Sequence, residues 1–163
     1  MKEKQRESSI NVLSKVKERE MNIQQLSVFL ENKPGRLAHV AQVLKDNAVN
    51  IRALTIADTS DFGILRMIVN KPEKAFEVLK SAGFTVKVNA VIAVEIDDRE
   101  GIFYDIMRLC DTSGLNIEYT YSFVEQYSNK AILFLRFDDC DKAIAIFKQQ
   151  GYKLLSGEEV RKI

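Results

Sequence analysis

Residues 25–69 read QLSVFLENKPGRLAHVAQVLKDNAVNIRALTIADTSDFGILRMIV. The period of the apolar residues changes along this stretch, and each change marks an element. Residues 25–30 are short and apolar-rich and end in Glu31-Asn32-Lys33-Pro34-Gly35, which predicts a strand and then a tight loop. Leu37, Val40, Ala41, Val43 and Leu44 recur at helical spacing as far as Asn47. Residues 50–57 alternate as a strand, 58–61 (DTSD) turn, and 62–69 (FGILRMIV) return as a second strand. Lys71-Pro72-Glu73 then opens a helix with Pro72 in its first turn, and Gly83 stands where a C-cap is needed. Residues 84–88 supply a last strand. The order is β-α-β-β-α-β, the ferredoxin-like split βαβ unit, in which two helices cover one face of an antiparallel sheet.

The unit occurs twice. Sliding the chain by 66 positions sets Val28 on Val94, Leu30 on Ile96, Gly35 on Gly101, Val40 on Ile106 and Val49-Asn50-Ile51 on Leu115-Asn116-Ile117. Sliding by 68 sets Lys74-Ala75 on Lys142-Ala143, Leu79 on Phe147 and Gly83-Phe84 on Gly151-Tyr152. An ordered series of this kind is not chance. The step from 66 to 68 places two extra residues near 123–130, at a hairpin tip where Glu125-Gln126-Tyr127-Ser128 offers a loop or a partner surface. The second copy is expected to place strands at 91–97, 116–124, 130–137 and 152–155 and helices at 102–113 and 140–150. Each copy has about 65 residues, a size at which one core alone is marginal. The fold class expected is therefore α+β, with two ferredoxin-like βαββαβ units side by side. No Gly or Pro linker stands at Asn89-Ala90, so one extended sheet, or an exchange of final strands, is anticipated. The divisions are 1–20 as a poorly ordered or helical tail, 21–90 as the first domain and 91–163 as the second.

The tail carries six basic and four acidic residues. Its few apolar residues, Ile10, Val12, Leu13 and Val16, allow at most a short amphipathic stripe. An alternative start at Met21 is consistent with the change of composition there.

Composition removes several function classes. The 163 residues hold 24 Lys+Arg against 23 Asp+Glu, a net charge of +1. That balance lacks the basic face a general nucleic-acid binder needs. Bases also need a stacking platform. Phe134 and Phe137, three apart on one strand, point to opposite faces and do not make one. No apolar run reaches membrane-spanning length, and the opening residues, which lack an apolar stretch, are not expected to act as a secretory leader. Cys110 and Cys140 are too few for a disulfide framework or a zinc site. Cys110 reads as a core thiol, and Cys140 stands near a helix start. His39, the one histidine, reads as a surface or edge side chain. There is no nucleophile–base set and no phosphate loop, so an enzyme is not expected. Neither a metal nor a cofactor is called for, and the setting expected is cytoplasmic.

The loop before the first helix remains. Asn32-Lys33-Pro34-Gly35-Arg36-Leu37 presents backbone N–H groups at a helix N-terminus, which favours an anion such as a carboxylate. Gly35 removes a Cβ from that approach, and Asn32 can donate and accept. The alternative is structural, with Asn32 capping the helix and Pro34-Gly35 making the turn.

The strand, the ENKPGRL loop, the helix, the Val-Asn-Ile entry to strand two and the hairpin into strand three resemble the ACT domain, a small-molecule-binding regulatory module of amino-acid metabolism. Residues 95–123 (EIDDREGIFYDIMRLCDTSGLNIEYTYSF) match it more weakly but keep Gly101 and Leu115-Asn116-Ile117. The resemblance covers about residues 23–157 and implies a stand-alone tandem ACT protein that acts as an amino-acid-binding regulatory or sensor protein. It implies a free amino acid as effector, held where two ACT units meet, and a homodimer that works on a partner enzyme of amino-acid metabolism. Carried over by position, Asn32, Pro34, Gly35, Arg36 and Leu37 would face Asn116 and Ile117. A pseudo-symmetric site would use Asp98, Gly101, Ile102 and Phe103 with Asn50 and Ile51. Loop N–H groups would take the α-carboxylate, an Asn oxygen the α-ammonium, and Leu37 the side chain. Asp98 and Glu100 stand where the first copy has Asn32 and Pro34. Their charge repels a carboxylate, so one good site and one weak site per chain are expected. A second reading is a regulatory subunit of a biosynthetic enzyme, similar to the acetolactate synthase small subunit.

Overall fold

The computed structural model describes residues 20–58, 61–124 and 129–163. The expected tail (bar Glu20) and the extra hairpin residues 125–128 lie outside these residues. The chain divides into two compact units. One comprises residues 24–90 with 158–163; the other comprises 91–157, joined by the described residues up to Ile23.

In the first unit the elements are β1 (Ile23–Glu31), α1 (Arg36–Asp46), β2 (Ile51–Asp58), β3 (Phe62–Val69), α2 (Pro72–Ser81) and the opening half of β4 (Thr85–Asp97). The strand order is β2-β3-β1-β4, with β1 and β2 both antiparallel to β3. Leu26, Val28 and Leu30 alternate along β1 and meet Leu65, Met67 and Val69 of β3. Val40 and Leu44 of α1 and Ala75 and Leu79 of α2 close this core from above. Helical and strand periods thus converge on one apolar layer, as the sequence pattern requires.

The second unit repeats the plan. Its elements are the closing half of β4, α3 (Ile102–Thr112), β5 (Ile117–Val124), β6 (Lys130–Phe137), α4 (Cys140–Gln149) and β7 (Lys153–Leu155). The strand order is β5-β6-β4-β7. Both β2 and β5 carry a register shift at the same repeat position, between Ile51 and Ala53 and between Ile117 and Tyr119. Ile106, Cys110, Ala143, Ile144 and Phe147 of the helices are buried, as are Leu133, Leu135 and Phe137 of β6. Phe137 meets Phe147 with ring centroids 6.1 Å apart, while Phe134 stacks on Tyr121 at 5.1 Å. Both phenylalanines are buried, so neither offers a face for a base.

Three features differ from expectation. The strands expected at 84–88 and 91–97 are one continuous strand, because nothing between them breaks the extended backbone. A short helix not anticipated, α5 (Gly157–Lys162), groups with the first unit rather than with the second copy. Its Val160 is buried, and Arg161 lies 3.9 Å from Glu73 of α2. Third, β1 is covered on both faces: Gln25 and Ser27 are buried although they alternate with the core residues. Gln25 Nε2 donates to Ser27 Oγ, which donates to Asn89 Oδ1. The two buried polar side chains are thus hydrogen-bonded, as burial demands.

Candidate functional site

The loops after β1 and after β4 are built alike. In the first, the Asn32 N–H donates to the Asp61 carbonyl (2.9 Å) and the Lys33 N–H to that of Glu31 (2.8 Å). The Arg36 N–H reaches Lys33 (3.3 Å), and the His39 N–H closes the first helical turn on Gly35 (2.9 Å). In the second, Asp98 donates to Asn129 (2.8 Å), Arg99 to Asp97 (2.9 Å), Ile102 to Arg99 (3.4 Å) and Asp105 to Gly101 (3.0 Å). Each loop ends on a left-handed glycine, Gly35 at φ 86° and Gly101 at φ 83°. A side chain at these backbone angles is strained, which explains why glycine opens both helices.

The N-cap of each helix is that glycine, and no side chain caps either one. Asn32 therefore does not cap α1, and the structural alternative for it fails. The first N–H groups of both helices lack intrahelical partners by geometry and face the surface with the positive end of the helix dipole. An exposed apolar side chain stands beside each: Leu37 is 47% exposed and Phe103 51%. A polar, anion-seeking patch and an apolar patch therefore share one surface, in both copies.

The two loops differ in charge. The guanidinium carbon of Arg36 sits 4.9 Å from the centroid of the Phe84 ring, and its Nε is buried without a hydrogen-bond partner. The exposed His39 packs on the same ring at 5.0 Å. Loop one thus keeps a cation beside the helix start. In loop two the Arg99 guanidinium donates 2.6 Å to Asp105 Oδ2 and 3.2 Å to the Glu100 carbonyl, so its charge is already engaged. Ile102 takes the place of Arg36, and a cleft of about 320 Å³ opens beside it against Tyr152. Two ion pairs line this cleft, Glu95–Lys153 and Asp97–Lys130. The hydrogen bond from Lys130 holds the Asp97 carboxyl below its ordinary range.

Asn50 and Ile51 lie at the start of β2. The Asn50 N–H donates to Asn70 Oδ1 (2.9 Å), and the Asn70 N–H donates back to the Asn50 carbonyl (3.0 Å). The two residues line a shallow depression of about 480 Å³ with Leu44 and Ala48. Asn116 and Ile117 hold the matching place before β5. Within one unit the loop and the strand start do not meet. Glu31 is opposite Phe62 at one end of β3, while Ile51 is opposite Val69 at the other. Pro34 is exposed in its loop, as are Asn32 and Asp98.

Cys110 is buried, and that burial pushes its thiol up to about 11. Cys140 opens α4, buried, with its Sγ 3.6 Å from Arg136 Nη1. Among the described residues no group of three or more His, Cys, Asp or Glu could hold a metal ion. Among them, too, no helix is long and apolar enough to cross a membrane.

A solved structure of protein BT0572 from Bacteroides thetaiotaomicron is 38% identical, covers 88% of this chain and 98% of its own, and superposes with a TM-score of 0.83. The ligand-free regulatory subunit of aspartate kinase from Thermus thermophilus is 14% identical over 79% of this chain and 93% of its own, with a TM-score of 0.59. The corresponding subunit from Thermus flavus gives 16%, 79%, 92% and 0.58. At those identities the two kinase subunits share the fold alone. No curated protein matches the sequence. A family model described as an ACT domain pair matches residues 21–163, and with the duplicated βαββαβ plan it shows that the chain belongs to the ACT domain pair family.

Proposed function

We propose that the protein is a non-catalytic regulatory module that binds a free amino acid at the loop after β1. The observation that supports this reading is the pairing, at Gly35-Arg36-Leu37, of an uncapped helix N-terminus with an exposed apolar side chain. An amino acid presents the complementary pair. Its α-carboxylate takes backbone N–H groups, assisted by the helix dipole and by the Arg36 charge. Its side chain covers Leu37. Asn32 supplies an acceptor for the α-ammonium, and the start of strand two from a neighbouring ACT unit completes the enclosure. Loop two is the weaker site, since Asp98 and Glu100 oppose a carboxylate and Arg99 is held by Asp105.

Thermal denaturation with each of the twenty amino acids in turn tests the proposal, because a ligand specific to the folded state raises the midpoint. One amino acid, or one side-chain class, should shift it, and Asn32→Ala should abolish the shift. Calorimetry should then count one strong site per chain. A flat response to all twenty would reject the amino-acid reading.

A further inference from the structure

We propose that the cleft beside Ile102 in the second unit binds a small alkylguanidinium compound, with its planar cation against Tyr152. The argument comes from the two copies. Gly83-Phe84 of the first corresponds to Gly151-Tyr152 of the second, and Arg36 corresponds to Ile102. In the first copy the guanidinium carbon of Arg36 lies 4.9 Å from the centroid of the Phe84 ring, so the chain's own side chain fills the space between helix start and ring. In the second copy the ring remains but the arginine does not, and a cleft of about 320 Å³ is lined by Ile102 and Tyr152. Small-molecule sites measure about 300–1,000 Å³, so this volume suits a small ligand. The occupant of the first copy indicates what fits the second: a planar cation beside an aromatic ring.

The cleft supplies acceptors as well as a ring. Glu95 stands where the first copy has Phe29, and Asp97 where it has Glu31. Both carboxylates line the cleft, and each pairs with a lysine, Glu95 Oε2 with Lys153 at 2.8 Å and Asp97 Oδ1 with Lys130. A carboxylate has about four acceptor positions, so one lysine each leaves capacity for guanidinium donors. Arg99 also lines the cleft, but its charge is met by Asp105 at 2.6 Å. Three carboxylates thus balance three cations, and no net charge repels a further cation. An anion would gain nothing from the tyrosine, because the face of an aromatic ring is negative.

The amino-acid site proposed above lies at the loop after β1, in the other unit. The present cleft opens at the β7 edge of its sheet, with β5 at the opposite edge, and every residue that lines it belongs to the second unit.

Isothermal titration of the full chain with n-butylguanidinium tests the proposal. This probe has neither an α-carboxylate nor an α-ammonium, so it bypasses the amino-acid site. One saturable site per chain is expected. Its affinity should exceed about tenfold that for n-butylurea, the uncharged isostere, and for n-butylammonium, a cation without the plane. Ile102→Arg restores the arrangement of the first copy and fills the cleft from within. It should abolish binding and leave the circular-dichroism spectrum unchanged. Glu95→Gln keeps the shape, removes one charge and should weaken binding about tenfold. No saturable binding to the wild type, equal binding of the three probes, or binding that survives Ile102→Arg overturns the proposal. Guanidinium binding by a chain that responds to none of the twenty amino acids sustains this cleft and rejects the reading of the loop after β1 instead.

Discussion

Ala48 has φ 54°, and among the described residues it is the non-glycine with a left-handed backbone. Its repeat equivalent is Gly114, at φ 61°. The turn between helix and second strand demands this geometry, and a lysine Nζ donates to the turn carbonyl in each copy, Lys71 to Ala48 and Lys142 to Gly114. An L-residue there costs about 1 kcal/mol. Ala48 is exposed, so replacing it loses little packing. Ala48→Gly should therefore stabilise the protein by up to ~1 kcal/mol, net of the added unfolded-chain entropy, and Gly114→Ala should destabilise it by about as much. Urea denaturation of both variants checks the sign. Cys110 makes a pH-dependent prediction. Its folded pKa is raised by burial from 9.0 to about 11, so the folded state resists thiolate formation. Stability from this source is complete below the ordinary thiol pKa and falls as pH rises through the interval up to about 11. Cys110→Ala should flatten that alkaline decline relative to wild type while costing about 1 kcal/mol at neutral pH. Parallel melts across the interval decide it; equal slopes would contradict it.

At the scale of elements, the sequence was most legible where period and punctuation agreed. The expected strands 62–69 and 130–137 match β3 and β6 to the residue, because a turn precedes each and an apolar pattern fills each. The candidate loop was legible as a loop, but not as an uncapped one. Asn32 reads as a cap in sequence, whereas the left-handed Gly35 takes the N-cap position and leaves the side chain no such role. β1 was legible on one face only. Alternation revealed Leu26, Val28 and Leu30, but no local signal distinguishes a buried Gln25 or Ser27 from an exposed one. Their burial makes a testable demand. Ser27→Ala removes both an acceptor for Gln25 and a donor to Asn89. A hydrogen bond contributes about 0.5–1.5 kcal/mol net, so Ser27→Ala, which removes these two, should destabilise the protein by ~1–3 kcal/mol in chemical denaturation. Ser27→Thr keeps the hydroxyl and should cost less unless the added methyl overpacks the face.

At the scale of the whole molecule, the duplication was legible because it rests on many weak matches in order, while the final segment was not, because it belongs to no repeat. Gly157–Lys162 is too short for a helical period to show, and an isolated helix of that length does not persist in water. It holds its shape through one buried side chain, Val160, in the unit formed by residues 24–90. The Arg161–Glu73 pair, at 3.9 Å and on the surface, adds little. The last residues thus stabilise the copy that was made first, a connection no reading of local pattern would find. Val160→Asp should release α5 and forfeit the burial of one valine, about 1.5–3 kcal/mol. Hydrogen exchange measured by mass spectrometry locates the loss. Amides of α2, beside Glu73, should exchange faster in the variant, while those of α4 should keep their protection. Faster exchange confined to α4 would assign the helix to the second copy and contradict its place in the first.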